Sequence, residues 1–330
     1  MIEEEDLELL RRGFQRALKA EDPDKADDAL GELGWRDALA AEGTTVVPLI
    51  FTEKGLANAV ATVLDDLLLS ALGLTALAGA GVVLPEVGAR TPPGSVVGGR
   101  LSVCGSGTAR LRRGGGAVVV AAADDGTCQA ISVRVADLTV DRVTGIDPAF
   151  GLVAVSADGV AFEALGEPAI TWQRVIATAQ LALSFELLGA SRAMLGLARE
   201  HALARTQFGR PIASFQAVRH RLADSLLAVE GLAAAVSAAW DAFGSWPSAG
   251  PDRDQLAAIA KAVAGHNARS VARNCQQVLA GIGFTAEHRF HRYFRRVLLL
   301  DEMLGSAREL TSVLGGEILA ARTLPTPIPL

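Results

Sequence analysis

Between Pro168 and Ala321 apolar residues recur at helical spacing in four long runs joined by short connections. A chain with that pattern has to bury its apolar stripes against one another. Leu183, Leu187, Ala190, Met194 and Leu197 mark the first run, and Phe215, Val218, Leu222, Leu226, Val229 and Trp240 the second. A third ends near Leu279, and a fourth is expected from about Ala286 to Ala321. Gly244 to Pro251 reads as a loop, with Pro251 in a first helical turn, where proline is tolerated. The pattern predicts an up-down four-helix bundle over residues 167–330. The closing LPTPIPL cannot be helical and is expected to run along a surface.

Residues 1–80 read as a separate helical region. Leu7, Leu10, Phe14 and Leu18 stripe a helix over residues 3–20, and Asp22-Pro23-Asp24 starts a second that ends near Gly31 or Gly34. A third is expected from about Glu53 to Leu72, with Leu56, Val60, Val63, Leu67 and Leu68 on its apolar side; Trp35 reads as a core anchor. From residue 81 to 166 glycines cluster and the β-branched runs VVGG, AVVVAAA, ISVRVADLTV and LVAVS appear, which predicts a small antiparallel β-domain. Gly114-Gly115-Gly116 and Asp124-Asp125-Gly126 are expected hairpin turns. No Lys-Ser/Thr follows the triple glycine, so it is not a phosphate loop. The expected fold class is α+β, mostly α.

Alanine and leucine dominate while aromatics make up only 5%, which favours helix-on-helix packing over a large β-sandwich. A net charge of −6 argues against a nucleic-acid partner. Cys104, Cys128 and Cys275 fit no metal-ligand spacing and predict reduced thiols. With an acidic start at Glu3–Asp6 they predict a cytoplasmic protein. The apolar run near Leu67 to Leu84 holds several glycines and reads as core, so no membrane association is expected.

Two stretches carry the chemistry. REHALARTQFGRPIASFQ (Arg199–Gln216) closes one long helix and opens the next, setting Arg205, Gln207 and Phe208 in the turn. An arginine fork donates paired hydrogen bonds to phosphate oxygens, although a solvated arginine is the ordinary reading of one short motif. CQQVLAGIGFTAEHRFHRYFRR (Cys275–Arg296) ends a helix in Gly281-Ile282-Gly283 and restarts as a basic amphipathic helix. Taken in this order, the two resemble the C-terminal helical domain of acyl-CoA dehydrogenases. The resemblance covers about Ala169 to Ile318, is faint in the N-terminal helices, and is poor in the middle.

That resemblance implies FAD and an oxidoreductase acting on a CH–CH bond of an acyl-CoA. In the family, the flavin ring lies between the β-domain and the bundle of one subunit, and its diphosphate and adenine reach a neighbour's bundle. Arg205 and Gln207 match the segment that makes this reach, as do Gln277 and Gly281 in the second segment, where Ala280 replaces a glycine; Phe208, Phe215 and Gln216 match positions lining the nucleotide. The family's Thr-Glu-Pro and Lys-x-Trp-Ile-Thr/Ser segments, which hold the ring and the thioester, are missing between Val82 and Leu165. The nearest phrases are LPEVGARTPPGS and ADDGTCQA.

Desaturation also needs a carboxylate within reach of the α-proton. The two family positions for it hold Ala179 and Leu304 here. Glu186, Asp301, Glu302 and Glu309 lie nearby and read as solvated or paired helix residues. His288, His291, Arg289, Arg292, Arg295 and Arg296 read as a charged subunit-interface face. The chain thus resembles the short subunit of actinobacterial α2β2 acyl-CoA dehydrogenases acting on steroid side-chain thioesters, in which a full-length partner supplies the base and the ring pocket. An electron-transferring flavoprotein is the implied acceptor. Two other readings stand beside it: a non-enzymatic scaffold or CoA-ester-binding bundle, and a self-sufficient homotetramer with a relocated base.

Overall fold

The structure is a computed structural model that describes residues 4–123, 127–168, 170–243 and 251–322. Its N-terminal part holds α1 (Glu4–Ala17), α2 (Pro23–Glu32), α3 (Trp35–Ala57) and α4 (Val63–Ala71). Asp22 starts α2 as expected, its carboxylate accepting from the Asp24 amide at 2.8 Å. Trp35 is the anchor it looked to be, 1% exposed, with its ring edge-on to Phe14 and its indole N–H donating to Asp66.

The helix expected over 53–72 is instead two. Asn58, at φ 51, ends α3 in the left-handed conformation that asparagine tolerates, and the chain reaches Val63 before it turns again. α3 itself begins at Trp35 and carries a kink at Glu42. Pro48 has no N–H for the carbonyl four residues back. That carbonyl, Thr44 O, accepts from the indole of Trp240 at 2.7 Å.

The middle region is one sheet of β1 (Gly81–Val82), β2 (Gly94–Val97), β3 (Arg100–Gly107), β4 (Gly116–Ala122), β5 (Cys128–Arg134), β6 (Thr139–Arg142), β7 (Val153–Val160) and β8 (Glu163–Gly166). The order is β6-β7-β3-β2-β4-β5-β8, with β1 beside β4. Pairing is antiparallel except that β1 and β2 run parallel to β4. Gly114-Gly115-Gly116 is therefore not a hairpin turn. It leads from a 3-10 turn (Ala109–Arg113) into β4, whose neighbours are not β3. The tight hairpin is Gly98-Gly99 between β2 and β3, with φ of +57° and +75° as a type I′ turn needs. Asp124-Asp125-Gly126 lie outside the described residues; β4 and β5 on either side pair antiparallel, Ala122 opposite Cys128.

The helical C-terminal part comprises α5 (Trp172–Ala204), α6 (Gln216–Phe243), α7 (Pro251–Leu279), α8 (Phe290–Glu302) and α9 (Ala307–Ala321). The fourth expected helix is broken where Leu304 and Gly305 take φ of +59° and +99°, after which the Ser306 hydroxyl caps α9. α5 is the central helix, packed by α3, α6, α7 and α8. Where it crosses α3 the backbones nearly touch. A Cβ on Gly55 would stand 2.1 Å from Glu186 O, and one on Gly189 2.0 Å from Thr52 O.

The apolar stripe of α6 is corrected too. Val229, Leu232 and Val236 are its core residues, whereas Leu226 is 51% exposed. Both α5 and α6 are long and apolar enough to cross a bilayer by length and composition, although α5 is the buried centre of the bundle. The 244–250 loop and the LPTPIPL tail lie outside the described residues.

Candidate functional site

The two motif stretches meet at one end of the bundle. Arg205 follows α5, its N–H bonded to His201 O, and its own carbonyl accepts from Ile212. Between these ends Thr206–Gln207 pairs with Arg210–Pro211 across a two-residue turn of Phe208 and Gly209, at φ +54° and +77°. Phe208 is thereby held out in solvent at 91% exposure, with only the edge of Phe215 beside it. Arg210 lies over the Phe215 ring, 4.4 Å from its centroid.

Gln216 opens α6, within 3.4 Å of His220. Gln277 is exposed on the last turn of α7, and Arg221 on α6 donates to Asn274 on α7, which brings the two stretches to the same end. Gly281 has open space around it. Ala280 holds φ +51°, a conformation suited to glycine, and the Gln276 amide donates to its carbonyl.

All seven expected site residues are thus at this end. Arg205, Gln207 and Gln277 are exposed, and among the described residues none of their side chains has a hydrogen bond or ion pair. Leu203, Ile282 and Phe284 add exposed apolar surface on the same segments. Such a donor set can serve as one open half of a site, its fork and amides taking a phosphate and its aromatic faces a base.

The other half is filled. Ala179 and Leu304 are 1% and 2% exposed, and Gln180 beside Ala179 donates to Leu304 O at 2.8 Å. The LPEVGAR segment lies across this region. Gly88 N–H donates to Glu302 O, Arg90 O accepts from the Trp172 indole at 2.8 Å, and Arg90 reaches Glu309. Trp172 is a packing residue. Backbone contacts, the Arg90–Glu309 pair and apolar side chains occupy this region.

The nearby acids are all engaged. Asp301 caps Ala307 N–H and pairs with Arg269, which also holds Glu302. Glu186 is fully buried between Lys54 Nζ at 2.6 Å and Arg296 Nη1 at 3.1 Å; Arg296 also takes Asp147 and Ala59 O. Burial lowers the Lys54 ammonium from its ordinary value, and Glu186 opposes that shift. Arg296 therefore leaves the expected interface face: it ties α8 to α5, α3 and the sheet region. Arg289, Arg292 and Arg295 stay exposed, and His288 and His291 are half-buried. This network was missed from sequence. The available signal was Glu53-Lys54 standing in the apolar run LIFTEKGLANAV.

A second buried cluster joins the N-terminal helices to the sheet. Arg110 grips Asp66 through two nitrogens at 2.6 and 3.0 Å, and Asp65 accepts from Thr108 and the Val82 amide. Burial pushes the Asp65 carboxyl up to about 6.

Residues 171–315 match the family described as acyl-CoA dehydrogenase, C-terminal domain. Over these residues, somewhat under half of its length, the chain is similar to the C-terminal domain of acyl-CoA dehydrogenases. The acyl-CoA dehydrogenase FadE34 of Mycobacterium tuberculosis is 34% identical over 186 residues, 56% of this chain and 25% of FadE34. Curated acyl-CoA dehydrogenases of that organism are matched over 25–42% of their own length.

The acyl-CoA dehydrogenase fold extends over nearly the whole chain. A chain of the ChsE4–ChsE5 complex of M. tuberculosis superposes with a TM-score of 0.80 at 21% identity, covering 99% of both chains. A chain of the Tcur3481–Tcur3483 steroid acyl-CoA dehydrogenase variant gives 0.80 at 21%, covering 96% of this chain and 99% of its own. At that identity the likeness is one of fold.

Proposed function

We propose that this chain is the non-catalytic subunit of a heteromeric FAD-dependent acyl-CoA dehydrogenase. It completes the diphosphate and adenine end of a flavin whose ring is held by a full-length partner, in an α2β2 assembly. One observation carries the reading: exposed Arg205, Gln207 and Gln277 at one bundle end, without side-chain partners among the described residues, against buried aliphatic Ala179 and Leu304 where a base is needed. A half-site for phosphate and adenine contacts needs no proton acceptor.

In this reading Arg205 offers its fork to the diphosphate, Gln277 and Gln207 add amide donors, and Phe208 supplies a face and excludes water. A bound flavin would supply hydride acceptance at the β-carbon of the acyl thioester. The α-proton goes to a carboxylate of the partner. The solved likenesses are themselves a two-component complex and a steroid enzyme, which supports a steroid side-chain CoA thioester as the substrate. An electron-transferring flavoprotein is the acceptor this reading favours.

The test is the visible spectrum of the chain purified alone and again after co-expression with a full-length acyl-CoA dehydrogenase from a neighbouring gene. The reading expects no bound flavin alone and bound flavin in the complex. Flavin bound by the chain alone would favour a self-sufficient enzyme, and no flavin in a stable complex would favour a scaffold.

A further inference from the structure

Away from the flavin half-site, the start of α8, the end of α3 and the 3-10 turns at Ala109–Arg113 and Pro148–Phe150 enclose a cleft of about 1260 Å³. Its walls carry a one-sided excess of free charge. Of its five acids, Asp22 caps α2, Asp24 pairs with Arg113, Asp147 with Arg296, and Glu53 with Arg11 and Gln15, which leaves Glu21. Against it stand Arg112, Arg142, Arg289, Arg292 and Arg295, all exposed. Among the described residues none of the five has a side-chain hydrogen bond or ion pair.

Two of these arginines sit where the fold disfavours them. Arg289 is the N-cap of α8, Arg292 stands in its first turn, and Arg295 follows on the same face; the first turn holds no acid and no side-chain cap. A helix N-terminus presents unsatisfied N–H groups and partial positive charge, so it favours anions and repels cations. A sequence that keeps arginines there against local preference calls for a compensating anion. Among the described residues the first turn of α8 provides none.

We propose that this cleft binds a small molecule carrying two or more phosphate groups. Arginine forks match phosphate oxygens bidentately, and several at one site select for multiple charge. The volume exceeds that of ordinary small-ligand pockets, roughly 300–1,000 Å³, so a nucleotide-sized body fits beside the phosphates. Pro148, Ala149 and Ala57 give that body an apolar wall.

The experiment is calorimetric titration of the full chain, alone or in its complex, with pyrophosphate, ADP and coenzyme A. Saturable binding of at least one probe is expected, weakened tenfold or more in Arg289→Gln/Arg292→Gln and unchanged in Arg205→Ala, which lies at the flavin half-site. Because the arginines oppose the helix field, the double variant should melt no lower than wild type without ligand. Failure of all three probes to bind wild type, binding that the double variant leaves intact, or binding that Arg205→Ala removes would overturn the proposal.

Discussion

The Gln180 side-chain amide donates to Leu304 O at 2.8 Å and so links the two places where acyl-CoA dehydrogenases keep their base. One is held by Ala179 and the other by Leu304, both buried and neither able to take a proton. The remaining acids nearby are structural. Glu302→Gln and Glu309→Gln should leave kcat of the complex within about tenfold of wild type, where loss of a general base removes about 10²-fold or more. Glu186→Gln should act on stability instead. It leaves Lys54 buried without its paired acid while Arg296 keeps only Asp147, a loss of roughly 3–5 kcal/mol in urea unfolding. A normally stable Glu302→Gln or Glu309→Gln complex with kcat down a hundredfold would place the base in this chain.

Among the described residues Arg205 makes no side-chain hydrogen bond or ion pair, so its removal should not touch folding. Arg205→Ala is expected to keep the melting temperature and to loosen FAD in the complex by about one to two orders of magnitude, on the basis of roughly 1.5–3 kcal/mol for a hydrogen bond to a charged group. Equilibrium dialysis of the deflavinated complex measures it.

How far these sites can be read from sequence depends on the range of the contacts. The bundle was legible because its helices bury stripes with a regular period, and Arg205–Gln216 because a local turn carries every group. The α3–α4 break was not, since Leu56, Val60 and Val63 keep helical spacing across it and only the left-handed Asn58 ends the helix. Lys54, Glu186 and Arg296 were equally hidden: partners 132 and 110 residues apart leave no local pattern. Ala280 stood out as a lost glycine, and its φ explains why a glycine suits the position.

That conformation gives a direct test. A left-handed alanine carries a cost of roughly 1–2 kcal/mol, part of which glycine returns through a more flexible unfolded chain. Ala280→Gly should therefore be neutral to about 1 kcal/mol stabilising in urea unfolding, whereas most glycine substitutions at helix ends destabilise.

Lys261 is buried, donating to Asp301 O and Gly305 O at 2.9 and 3.1 Å, and burial brings its ammonium down from 10.5 to about 8. Below pH 8 both folded and unfolded chains hold the proton, and the fold bears the whole burial cost. Between about 8 and 10.5 the folded chain releases it first, so Lys261 makes stability rise with pH across that window, by at most about 3 kcal/mol. Unfolding of wild type and Lys261→Met compared from pH 7.5 upward should show that rise only in wild type.

The central claim is that this chain donates half of a flavin site and owns no complete one. Native mass and flavin absorbance on one purified, co-expressed sample test it most directly. The account predicts a heterotetramer of two copies of this chain and two of a full-length partner, with two FAD in all, because two of the four ring positions fall in chains where Ala179, Leu304 and the Pro85–Arg90 loop close the space. A stable homotetramer of this chain with one FAD per subunit would contradict it.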